Sequence, residues 1–158
     1  MFDLMATDIG LLLNRARTLG SAFIWRKVMS DVTIQRKIIQ DYIQEDQLFN
    51  KGVDEDSDII GTYSYATQLI NPEKIEGDPY TLKDTGDFYK SMYIVVLNDS
   101  IVIEANGLKT DEKGETTDLL QLYGNGILGL TDENKTRLAM ELIDRYYIEV
   151  QNLLFGNR

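Results

Sequence analysis

The chain has 158 residues, and its 16 basic against 26 acidic side chains leave a formal charge of −10. It contains neither cysteine nor histidine, which excludes disulfide scaffolds, Cys/His zinc centres and nucleophilic triads built on those residues. The acidity argues against broad wrapping of nucleic acid, which takes lysine and arginine to neutralise phosphates.

A hydrophobic fraction of 43% at this length suits one folded domain with a core of its own. The longest charge-free run, 59–72, has 14 residues, several of them polar. A membrane helix needs roughly 20 mostly apolar residues, so none is expected. The opening Met1-Phe2-Asp3, with Asp8 ahead of any basic residue, is unlike a secretory leader. The chain is expected to stay where it is made, unless it leaves within an assembly.

In chain order, Thr7 or Asp8 can cap a first helix, along which Leu12, Ala16, Leu19 and Phe23 recur at helical spacing. Ser30 or Asp31 can restart a second, with Ile34, Ile38 and Tyr42 as its stripe and Ile39 and Ile43 widening it. That helix should stop near Phe49, before Asn50-Lys51-Gly52. Whether 8–48 is one bent helix or two stays open. Residues 52–80 hold both prolines and lose periodicity, so they read as extended, irregular chain. Thr81–Asp84 suggests a short strand leading to a turn at Thr85-Gly86-Asp87. Phe88–Leu97 and Ile101–Ala105, with Asn98-Asp99 between them, read as a β-hairpin. Residues 106–118 read as a polar loop or long hairpin tip, and 119–123 as a short apolar element of open type. A final helix should start at a Thr131 cap, with Asp132 and Glu133 in its first turn, and end before Gly156.

The charge is split along the chain. Residues 1–40 carry six basic side chains (Arg15, Arg17, Arg26, Lys27, Arg36, Lys37) and three acidic ones, while the rest carries ten and 23. The six basic residues are candidate subunit contacts, docking on an acidic neighbour. They could equally be the wetted face of ordinary helices.

Three chemical motifs fail on inspection. Asp54, Asp56 and Asp58 have the spacing of a calcium loop, but Ile59 stands where its turn glycine belongs and Tyr65 where its bidentate glutamate belongs. Gly124-x-Gly126-x-x-Gly129 matches the dinucleotide fingerprint as text, yet lies too late in the chain for a βαβ unit. Ser91 beside Lys90 is no dyad, because neighbours on a strand point to opposite faces. No cofactor, metal or catalytic residue is expected.

Three segments carry a family resemblance. They are Gly52-Val53-Asp54-x-Asp56 with Ile60-Gly61-x-Tyr63-Ser64, then Leu82-x-Asp84-Thr85-Gly86-Asp87-Phe88-Tyr89-x-Ser91, and Leu122-Tyr123-Gly124 followed by Ile127-Leu128-Gly129-Leu130-Thr131. In this order they resemble the tail-completion, or virion-morphogenesis, proteins of tailed bacteriophages, over roughly Gln47 to Leu142. Two departures stand out: Asn125-Gly126-Ile127 where many members have an Ala-Arg-Pro-Phe-type segment, and a charged 106–118 loop where many are short. The resemblance implies an α+β fold, with an antiparallel sheet packed on a long C-terminal helix, and a non-enzymatic role in the virion neck. It implies a ring of copies joining or sealing the portal–tail junction, docked on portal, adaptor or tail proteins. DNA would at most pass through the channel, and no membrane would be involved. Thr85, Gly86, Phe88, Ser91, Tyr123, Gly124, Leu128, Gly129 and Leu130 are the motif residues that match, with structural roles. The expected organisation is a helical arm over 1–49 and an α+β unit over 50–158. The rival readings are a carboxylate-dependent phage hydrolase and a cytoplasmic host-binding module.

Overall fold

The computed structural model describes residues 20–110 and 114–156; the expected helix upstream of Gly20 lies outside them. Helix α1 spans Ser21–Met29 and stops at Ser30. Asp31 then caps α2, Val32–Arg36, by accepting from the Thr33 N–H at 2.7 Å. From Lys37 to Lys51 the same helix runs on with the wider i→i+5 hydrogen bonding of a π-helix. The burial pattern explains the change of winding. Ile38, Ile43 and Leu48 lie five apart and are all fully buried, as are Tyr42 and Gln47. At the α-helical 3.6 residues per turn, positions five apart diverge by roughly 140°. Wider turns hold them on one face.

Gly52 ends this helix at φ +61°. A Cβ there would meet the Pro79 Cβ at 2.3 Å, so only glycine fits. Residues 53–80 form a long excursion whose limbs are tied together. Bridges join Val53 to Ile59 and Thr62 to Pro79, and a short helix α3, Tyr65–Ile70, is capped by Ser64.

Residues 81–90 differ from expectation. Thr81–Asp84 pairs with no strand, and Asp87–Lys90 is a turn of helix, α4, where a strand was expected from Phe88. β-propensity yields here because the Thr85 and Asp87 side chains build a helix start. Lys90 therefore ends a helix, and the strand argument about its neighbour Ser91 does not apply. The hairpin follows as β1, Tyr93–Val96, antiparallel to β2, Ile101–Glu104, with Tyr93 opposite Glu104. The polar 106–118 stretch is a second hairpin: β3, Leu108–Thr110, pairs with β4, Thr116–Asp118. The β content is thus two separate two-stranded sheets.

Asp118 caps α5, Leu119–Tyr123, by accepting from the Leu120 and Gln121 N–H groups. A 3₁₀ turn, Asn125–Leu128, leads to α6, Asp132–Phe155. The fold is α+β. Its core joins Met29, Ile34, Ile38 and Ile43 to Phe88, Met92, Leu119, Ile127, Leu130 and Leu138. The first sheet faces α6 across an apolar groove of about 510 Å³, with Ile101 and Ile103 on one wall and Leu138 and Leu142 on the other.

The N-terminal helices, expected as an arm, lie docked along the body from residue 21 on. They run antiparallel to α6: Lys27 pairs with Glu149, Asp31 with Arg145 and Lys37 with Glu141. One core cluster crosses residue 50, joining Leu48 to Leu128 and Leu130. Among the described residues no helix is long and apolar enough to cross a membrane.

Candidate functional site

The third motif segment, with Leu128, Gly129 and Leu130, forms the entrance to α6. Gln47 is fully buried, and its amide reads two backbone groups of the segment leading into that helix. Its Nε2 donates to the Gly129 carbonyl at 2.9 Å, and its Oε1 accepts from the Thr131 N–H at 2.9 Å. Asn134, equally buried, donates to Gln47 Oε1 at 3.0 Å and to Asp46 Oδ2 at 2.9 Å. One helix thus fixes the other through side-chain amides that satisfy otherwise orphaned backbone groups. Sequence reasoning missed both residues. The available signal was Gln47 five places after Tyr42, inside an apolar stripe.

Gly129 is the narrow point. A Cβ on it would lie 2.0 Å from Glu55 Oε2 and 2.6 Å from Glu55 Cβ. The backbone here therefore comes close to the Glu55 side chain. Glu55 also donates its N–H to the Gly126 carbonyl at 3.0 Å, so the first and third motif segments touch. Leu128 and Leu130 are buried beside them. Gly124 ends α5, so a helix precedes the Gly124–Gly129 string where a dinucleotide fold needs a strand.

The middle motif segment explains itself locally. Gly86 sits at φ +81°, and Thr85 Oγ1 donates to Asp87 Oδ2 at 2.6 Å. Phe88 drops into the core. Ser91 Oγ donates to the Phe88 carbonyl at 2.7 Å and accepts from the Asn106 N–H at 2.9 Å, so it ties α4 to the far end of the first hairpin.

A second feature is a cavity of about 230 Å³ beside this segment. Tyr63, Tyr80 and Tyr123 form its wall edge to face, with ring centroids 4.9 and 6.1 Å apart. Gly61 makes room for the Tyr80 ring, which a Cβ would meet at 2.6 Å. Lys74, Lys83 and Lys109 lie around it with one carboxylate, Asp84, which Lys109 approaches to 2.6 Å and Lys74 to 3.7 Å. Leu82 in its floor holds φ +51°, a conformation leucine rarely adopts. The Tyr89 hydroxyl donates to the neighbouring Thr81 carbonyl and helps to hold it.

Four aspartates, Asp31, Asp46, Asp84 and Asp87, behave as ionic anchors. The Lys109 hydrogen bond holds Asp84 below its ordinary value. The Thr85 hydroxyl does the same for Asp87, and the Thr33 N–H for Asp31. At Asp46 burial pulls the other way, yet Asn134, Lys51 and Arg137 together bring it down. The Asp54 turn is closed on itself, with Asp54 Oδ1 accepting from the Asp56 and Asp58 N–H groups, each at 3.0 Å. Among the described residues no group of three potential metal ligands occurs.

The basic candidates are not brought together. Lys27 and Lys37 are paired with α6, Arg26 and Arg36 are exposed, and Arg15 and Arg17 lie outside the described residues. Comparison with protein-family models, with curated proteins and with solved structures finds no match.

Proposed function

We propose that the chain is a structural, non-enzymatic protein of a bacteriophage neck, one copy of a ring that joins or seals the portal–tail junction. The observation that carries this reading is the contact among the segments that resemble the tail-completion family. Glu55 meets Gly126 and Gly129, Tyr63 and Tyr123 share the Tyr80 ring, and Ser91 clamps α4 to the hairpin. The resemblance falls on residues that hold the domain in shape, as scaffold motifs should. Exposed Met140, Ile143 and Tyr147 on α6 suit a part that works in contact with others.

The test is protein composition of purified particles by quantitative mass spectrometry. A fixed number of copies per particle, lost together with the tail in a deletion strain, is expected. Its absence from particles that carry complete tails would overturn the reading.

A further inference from the structure

The tyrosine-walled cavity is a local reversal of the molecule's charge. Residues 41–158 hold ten basic side chains against 23 acidic ones, yet three of those ten, Lys74, Lys83 and Lys109, gather around this one opening with a single aspartate. Asp84 is shared by two of the lysines, so it compensates only part of their charge. Lys83 makes no ion pair among the described residues; its ammonium lies 4.6 Å from the Phe49 ring centroid. The opening, of about 230 Å³, shares Leu82, Asp84, Lys109 and Leu119 with an adjoining hollow over Thr85–Phe88. Its lysines suit an acidic side chain.

The same molecule carries the complement. In the Asp54–Asp58 turn, Asp54 Oδ1 accepts from the Asp56 and Asp58 N–H groups, and both residues are exposed, Asp56 with Lys135 in its field. Ser57 holds φ +67° within this turn, which stands out as a fixed acidic knuckle. Pocket and knuckle are different surfaces. A contact between them is heterologous, the kind that builds a ring when its rotation closes.

We infer that the Lys74–Lys83–Lys109 cavity is an anion-binding socket that receives the Asp56 and Asp58 carboxylates of a neighbouring copy of this chain. The inference rests on the ring reading above in taking the neighbour to be another copy. Electrostatic complementarity of this sort sets register and partner choice more than bulk affinity.

Sedimentation of the full chain at low and high salt tests it with paired charge reversals. Lys83→Glu with Lys109→Glu alters the socket, and Asp56→Lys with Asp58→Lys alters the knuckle; all four side chains are exposed, and thermal melts check that each variant folds. Self-association that is salt-sensitive, at least about tenfold weaker in either variant alone and restored when the two are mixed, is expected. Association that neither reversal weakens, or that mixing does not restore, would overturn the socket and leave the ring reading standing. A wild-type chain monomeric to its solubility limit at low salt would also overturn the socket. The ring reading is decided separately, by particle composition.

Discussion

At residue 47 a single amide satisfies both a carbonyl and an N–H of the strand-like chain entering α6. Gln47→Leu keeps the bulk and strands both groups, so it should cost about 2–4 kcal/mol in urea unfolding. Gly129→Ala acts by contact instead. Its methyl would displace the Glu55 stem, at about 1–3 kcal/mol, and the added change Glu55→Ala should recover part of that loss. Acid stability belongs to this scale too. Asp46 and Asp84 have folded values below 3.8, so their contribution is complete above that value and disappears as pH falls through the lower, folded one. Stability measured from pH 7 downward should hold until about pH 4 and then fall. Asp46→Asn should flatten that fall, and an unchanged acid limb would count against the Asp46 anchor.

Among the elements, the Lys37–Lys51 helix was half legible. Its apolar stripe was visible as Ile34, Ile38, Tyr42 and Ile43, because apolar side chains recur wherever one face is buried. Its winding was not, since α-helical spacing was the template against which the residues were read. The positions five apart supply the test. Ile43→Ala should cost about 2–5 kcal/mol, whereas Gln40→Ala on the exposed side should stay within about 0.5 kcal/mol in the same unfolding assay. The Asp87–Lys90 turn teaches the converse. Aromatic, β-favouring residues at 88 and 89 read as strand, and a left-handed glycine with two short polar side chains made helix of them.

At the scale of the whole molecule, the uneven charge is partly absorbed internally. Lys27 and Lys37 lie against acidic residues of α6, which fastens the N-terminal helices to the body. These pairs are partly solvated, so Lys27→Ala or Lys37→Ala should cost only about 0.2–1 kcal/mol, and the difference should shrink in high salt. The core that continues from Leu48 into Leu128 and Leu130 does the larger share of the fastening. The outer face of α6 is separate from both. Ile143→Ser should leave the melting behaviour of the isolated chain within about 0.5 kcal/mol, because that side chain is 67% exposed.

Sequence alone determined what depends on neighbours along the chain. The Thr131 cap, the length of α6, the β1–β2 hairpin and the positive φ at Gly86 follow from local propensity and turn chemistry. The α+β class stood in the sequence only as what the family resemblance implies. The absence of cysteine and histidine closed off whole branches of chemistry before any folding was considered. Tertiary structure decided what depends on residues far apart. It chose π winding for the second helix, because the buried positions had to share a face. It made Gln47 and Asn134 the join between two helices, a role invisible until 82 to 87 residues of separation are brought to hydrogen-bond length. It also collected three lysines around three tyrosines in an acidic body. Charges distant in sequence have no preferred meeting place until packing assigns one.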